Sequence, residues 1–365
     1  VKSIEIDRSK TLVDEPAKGH NRWHPDIPPV VEAKPDEEVV LQTRDASDGG
    51  VTRAHGRAEG GRGRIHPLTG PVYIAGAEPG DLLEVEFLEI APEPWGWTSC
   101  GPGMGFLPDL LEQRQTFIWD IADGWATSAG IPGVRIPSGS FMGTVGVAPS
   151  RSQLEEWTKR ETDLVARGGT ASLPDPTDAV PNREPIANEG ARTMPPRENC
   201  GNIDAKHLTR GSRLFLPVNV PGALYSAGDA HFAQGDGEVC LTAIEMGATV
   251  AQRFRLHKGE AAKRNIRWPR FAHPDYFVPP EWAAPRNFIA TTGMPVRGDG
   301  GQEGADLNLA ARNALSNMIE LLQERGFTAA QAYAICSVAV DLRISNVVDL
   351  PNVTVSALLP EAIFG

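Results

Sequence analysis

Polar and apolar positions alternate through the first part of the chain and change to a helical period near its end. EEVVLQTRDAS (37–47) and DLLEVEFLEI (81–90) are short, β-branched or alternating, and bounded by Pro, Gly and Asp, which predicts strands. Between PVYIAG (71–76) and LLEVEF (82–87), AEPGD (77–81) predicts a reversal, because Pro presets φ and Gly accepts positive φ. GSFMGTVGVAP (139–149) suits a strand that other backbone approaches closely. SRSQLEEWTKRETDLVARGG (150–169) reads as a helix that starts at Ser and stops at Gly, and the Pro- and Asn-rich stretch 170–198 is irregular. Strands resume at SRLFLPVNV (212–220) and GEVCLTAIEMGATVAQRFRL (237–256), with a turn or bulge at MGA. In ADLNLAARNALSNMIELLQERG (305–326), Leu307, Ala311, Ala314, Leu315, Met318 and Leu322 share one helical face. TAAQAYAICSVAVDLRIS (328–345) predicts a buried helix capped by Thr.

Strand-rich segments followed by paired helices imply an α+β protein dominated by antiparallel sheet. The organisation expected is a β-rich N-terminal lobe (1–149), a helix and connector (150–198), a β-rich part carrying the candidate chemistry (199–290) and an α/β part (291–365). At 365 residues the chain can bury a sizeable core, as one large or two intimate domains. Its 38 Gly and 31 Pro add turns and irregular loops. The balance of 47 acidic against 35 basic residues, net −12, repels phosphate backbones and argues against nucleic acid as a partner. The most basic segment, HKGEAAKRNIRWPR (257–270), carries its own Glu260 and reads as a solvated face. Cys100, Cys200, Cys240 and Cys336 form no CxxC pair, so free thiols in a reducing cytoplasm are expected. VKSIEIDRSK lacks a leader's apolar run and no run of eighteen apolar residues occurs, so no membrane association is expected.

Candidate chemistry gathers in SAGDAHFAQGDGE (226–238). On an extended strand Asp229 and His231 share a face, AQGDG can reverse the chain, and a returning strand would begin at Glu238. Such a hairpin gathers two carboxylates and an imidazole, a donor set for a divalent ion such as zinc, with one acidic group left as a base for water. A sharp polar surface turn has the same composition. NCGNIDAKHL (199–208) offers Asp204 and Lys206 on one strand face with His207 pointing away, or else an Asx-type turn. His20, His24 and His66 sit beside Pro or Trp, where core or edge filling competes with function. Asp45 and Asp48 in RDASDGG read as metal ligands or loop acids. The loop GWTSCGPGMGFL (96–107) could supply backbone N–H donors, but it contains no GxSxG elbow, and GAEPGD lacks the GK[ST] ending of a phosphate loop.

The order HNRWHP (20–25), HPLTGPVYIAGAEPGDLLEVEFLEI (66–90), GSFMGTVGVAP, GNIDAKHLTRGSRLFLPVNVPGALYSAGDAHFAQGDGEVCLTAIE (201–245) and VVDLPNVTVSALLP (347–360) closely resembles the acetamidase/formamidase family. The likeness runs from about His20 to the C-terminus and is weakest in the connector. It implies β-sandwich-like lobes with an added α/β part, assembled as a homo-oligomer. It also implies hydrolysis of the C–N bond of short amides to a carboxylic acid and ammonia, with a bound divalent metal in some members. Some relatives open a bicyclic γ-lactam. The family motif often reads GDGHAAQGDGE. Here Ala230 and Phe232 depart from it, while Asp229, His231, Gln234, Asp236 and Glu238 match. Phe232 adds bulk that bears on substrate size.

The expected mechanism is attack on a small linear, formamide-like amide by a metal-activated water. Asp204, Asp229 and His231 would hold the ion, zinc in preference to calcium because of the imidazole. Glu238 would take the water proton and pass it to the leaving nitrogen, and Lys206 would pair with the oxyanion or a carboxylate. Three alternatives stand beside it. They are a γ-lactamase, a Cys200–Glu238–Lys206 nucleophile arrangement, and a non-catalytic β-sandwich that binds calcium through the acidic hairpin.

Overall fold

The structure is a computed structural model that describes residues 1–54, 56–57, 65–274 and 287–365. The chain divides into two compact units, each assembled from separated segments. The first comprises Val1–Glu93, Ser140–Ala230 and Met246–Tyr276, and the second Pro94–Gly139, His231–Glu245 and Phe277–Gly365. Strands far outnumber helices and pair mainly antiparallel, as an α+β chain of this pattern should.

In the first unit a six-stranded sheet runs in the order Lys2–Ile4, Glu38–Thr43, Ala248–His257, Leu82–Pro92, Arg213–Pro217, Arg270–Ala272. Leu82–Pro92 pairs with Ala248–His257 over nearly its whole length, and Val39, Leu41, Val85, Phe87, Val250 and Phe254 from the three central strands are buried. Their alternation with polar residues is the period-2 signal read above. A second group of strands carries site residues. Leu68–Ile74 pairs antiparallel with Tyr225–Gly228, and Phe141–Gly146 with Cys200–Asn202. Helix Arg151–Ala166 starts with a capping box: the Ser150 hydroxyl accepts the Gln153 N–H, and the Gln153 side chain accepts the Ser150 N–H.

In the second unit, strands Trp95–Cys100, Gln115–Ala122, Trp125–Thr127 and Arg135–Pro137 form an antiparallel meander. A three-stranded sheet, Phe288–Gly293, Thr354–Pro360 and Asp341–Asn346, is covered by helix Leu307–Glu324. That helix buries Ala310, Ala314, Leu315, Met318, Ile319 and Leu322, a face rotated slightly from the one read in sequence. Thr328 caps helix Ala329–Ala339 as expected, but the helix stops there. VDLRIS, read as its continuation, is strand Asp341–Asn346, which pairs with Thr354–Pro360.

A second departure concerns the expected hairpin. Strand Tyr225–His231 is present, but Glu238–Ile244 is not a strand, and extended pairing resumes only at Glu245–Met246. The reversal is wide. Phe232 N–H donates to Ile244 O at 2.9 Å and Ile244 N–H to Ala233 O at 3.1 Å, closing a loop over residues 234–243. Val239, Cys240 and Ala243 are buried in it. Their apolar character, which imitates a strand, is spent on packing an irregular loop.

Candidate active site

His231 ends strand Tyr225–His231 and opens the middle segment of the second unit. Its Nδ1 lies 2.9 Å from Gln234 Oε1, and its Nε2 lies 3.2 Å from Glu245 Oε2. A carbonyl oxygen accepts, so Nδ1 carries the proton in the neutral ring and Nε2 presents its lone pair. Glu238 joins them: ligand atoms of His231, Glu238 and Glu245 all lie within 4.8 Å of one another. His231 and Glu245 are almost fully buried, at 1% and 2% exposure, and Glu238 is half-buried. Glu245 Oε1 also accepts the Ala243 N–H at 2.9 Å, and Glu245 stands opposite Trp97 on the neighbouring strand.

Two carboxylates facing a lone-pair nitrogen in a buried volume repel one another unless a proton or cation lies among them. An imidazole whose other N–H is already donated is the usual form of a metal-ligating histidine. This donor set therefore fits a divalent ion of borderline softness.

Within the first unit, the carboxylates of Asp204 and Asp229 lie within 4.8 Å of each other. Asp229 is buried, with Thr144 Oγ1 at 3.1 Å and His66 Nδ1 at 3.8 Å from its Oδ2. Thr144 also contacts Asn202 Oδ1 at 2.5 Å. The regular strand geometry assumed from sequence does not hold at either acid. Asp204 and Asp229 adopt φ of 46° and 54°, and Glu238 one of 44°. Aspartate tolerates the left-handed region, but glutamate rarely occupies it. Asp204 and Lys206 consequently do not share a strand face: Lys206 and His207 form a turn, with Leu208 N–H donated to Ala205 O at 2.9 Å. Lys206 is half-buried and His207 exposed.

The remaining candidates separate cleanly. His20 is buried, with Nε2 2.7 Å from Ser226 Oγ and its ring edge-on to Trp23, and burial pushes its pKa down to about 4. His24 accepts the Asp26 N–H on Nδ1, and burial again lowers its pKa. Asp45 accepts N–H groups of Ser47 and Gly49, and Asp48 that of Leu12, so both hold backbone. Cys200 is fully buried, which pushes its thiol up and away from the thiolate a nucleophile needs. Phe232 is fully buried. The Gly-rich loop does donate, but to the protein: Phe106 N–H to Val239 O and Leu107 N–H to the Tyr333 hydroxyl, each at 2.8 Å. Of the cluster GRIHPLTGP, Gly63 and Arg64 lie outside the described residues.

Glu245 was not singled out from sequence. Its signal was its place at the end of the long motif. Thr144 was not singled out either, and His66 was weighed only as a lone histidine, because only the fold brings them to Asp229.

A family model described as "Acetamidase/Formamidase family" matches residues 5–365. The chain is 37% identical over 363 residues to a protein named acetamidase from Mycolicibacterium smegmatis, spanning 91% of this chain and 88% of that one. It is 34% identical over 383 residues to a formamidase from Methylophilus methylotrophus, spanning 99% and 93%. Among solved structures, a gamma lactamase from Delftia acidovorans superposes with a TM-score of 0.92 at 38% identity, covering 100% of this chain and 93% of that one.

Proposed function

The chain belongs to the acetamidase/formamidase family. From that membership we propose that it hydrolyses the C–N bond of short linear amides, formamide-like in size, to a carboxylic acid and ammonia. The observation that carries this reading is the grouping of buried His231 and Glu245 with half-buried Glu238, with the His231 lone pair turned toward Glu245.

A zinc-like ion, when bound, would polarise the amide carbonyl and make an adjacent water more acidic. Asp204, Asp229 and His231 are the residues we assign to holding it. Gln234 fixes the His231 tautomer so that Nε2 keeps its lone pair. Glu238 accepts the proton of the attacking water and returns it to the departing nitrogen, which otherwise leaves as an unstable amide anion. Lys206 offsets negative charge on the tetrahedral oxygen or the product carboxylate. Glu245, 3.2 Å from Nε2, would share the ion with His231.

Chelation is expected to abolish turnover, with zinc restoring it better than magnesium, measured as metal content alongside rate. Full activity in verified metal-free protein would exclude the metal and promote Cys200, whose replacement, Cys200→Ala, is expected to be mild. The gamma-lactamase neighbour favours a second reading of the same site, opening of a bicyclic γ-lactam, which breaks the same kind of bond.

A further inference from the structure

The loop that carries Glu238 lies on helix Ala329–Ala339, within the second unit. Tyr333 is fully buried, and its hydroxyl donates to Val239 O, the carbonyl next to Glu238, while accepting the Leu107 N–H at 2.8 Å. Phe106 N–H donates to the same Val239 carbonyl at 2.8 Å, so that oxygen is gripped by two donors. One turn further along the helix, Ser337 Oγ donates to Thr242 O at 2.7 Å and accepts the Cys240 N–H at 3.1 Å. The Ser337 carbonyl, one of the last four of the helix and without a helical partner, accepts the Gly235 N–H at 2.8 Å. Just beyond the helix, Asp341 accepts the Asp236 N–H at 3.1 Å. Restraints therefore stand on both sides of Glu238, at Gly235 and Asp236 before it and at Val239, Cys240 and Thr242 after it.

We propose that helix Ala329–Ala339 is the template that positions Glu238, with Tyr333 as the principal positioning residue and Ser337 as its partner one turn away. Tyr333 and Ser337 share a face because they are four residues apart. Glu238 needs such a template. Its φ of 44° is one that a glutamate does not hold unaided, and the loop has no regular pairing of its own between residues 234 and 243. Burial pushes the Tyr333 phenol up, so it stays protonated and keeps its donor. The placement rests on the reading of Glu238 as the proton carrier.

The test is a double-mutant cycle of Tyr333→Phe and Glu238→Gln, assayed on formamide or whichever amide the wild-type protein turns over. Tyr333→Phe removes one hydroxyl and keeps the ring. Its expected effect is a fall in kcat of about 10- to 100-fold with KM within about twofold, because misplacing a catalytic group mainly costs the chemical step. In the Glu238→Gln background the same change is expected to cost almost nothing. Equal losses in both backgrounds would reduce Tyr333 to a structural role and overturn the proposal. Wild-type turnover in Glu238→Gln alone would instead remove the proton-carrier reading, and the catalytic purpose of the template with it. Hydrogen exchange supplies a readout independent of turnover: amides of residues 233–244 are expected to exchange faster in Tyr333→Phe, with strand Leu82–Pro92 unchanged. An unaltered loop would contradict the clamp. Should Tyr333→Phe not fold, Ser337→Ala carries the same cycle and the same two outcomes.

Discussion

At the scale of single residues, the roles proposed for His231 as ligand and Glu238 as base predict different losses on their removal. Glu238→Gln keeps shape and hydrogen bonding but cannot accept a proton, so turnover is expected to fall by about 10²–10⁴ with metal content unchanged. Loss of metal in that variant would make Glu238 a ligand, which its distance from His231 and Glu245 also permits. His231→Ala is expected to lower metal occupancy and rate together. His20 tests burial apart from chemistry. Its folded pKa of about 4 lies below its ordinary 6.5, so it contributes stability fully above pH 6.5. That stability is lost as pH falls from 6.5 to 4, where the unfolded chain gains a proton that the folded one refuses, a loss on the order of 3 kcal/mol. Denaturation midpoints measured across this window are expected to fall less steeply in His20→Gln than in wild type. Asp229, His231 and Glu238 were legible in the motif because all three fall within ten residues. Glu245 was not, because its approach to His231 depends on the wide closure between Phe232 and Ile244.

At the scale of elements, the loop over residues 234–243 and the helix beneath it form one device. A Cβ on Gly235 would meet Val340 O at 2.2 Å and Cys336 O at 2.8 Å, both backbone atoms at the end of that helix. Gly235→Ala is therefore expected to destabilise by about 1–3 kcal/mol, the usual cost of overpacking, and to lower kcat as well. A thermal midpoint equal to wild type would show that loop and helix are not in such close contact. Helices Arg151–Ala166 and Leu307–Glu324 could be read in advance because a cap and a 3.6-residue period are local signals. EVCLTAI and VDLRIS could not. The first is largely apolar and β-branched yet lies in a mostly buried loop, and the second follows a mostly buried helix whose end no glycine marks. In both cases distant backbone partners outweigh local preference.

At the scale of the whole molecule, the family, the antiparallel sheets and the acidic surface agree with one another. A net charge of −12 is immaterial to the small, uncharged amide proposed as substrate, which surface charge does not repel. Among the described residues no helix is long and apolar enough to cross a membrane. The amidase reading is tested most directly by the products released from formamide, acetamide and a bicyclic γ-lactam by the purified, folded, metal-loaded protein. Linear amides yield ammonia, whereas an opened lactam yields an amino acid and no free ammonia, so the two activities separate in one experiment. Ammonia from an unbranched amide of one to three carbons is the expected result. Turnover of the lactam alone would shift the substrate to the cyclic class, and no product from any of the three would contradict the account.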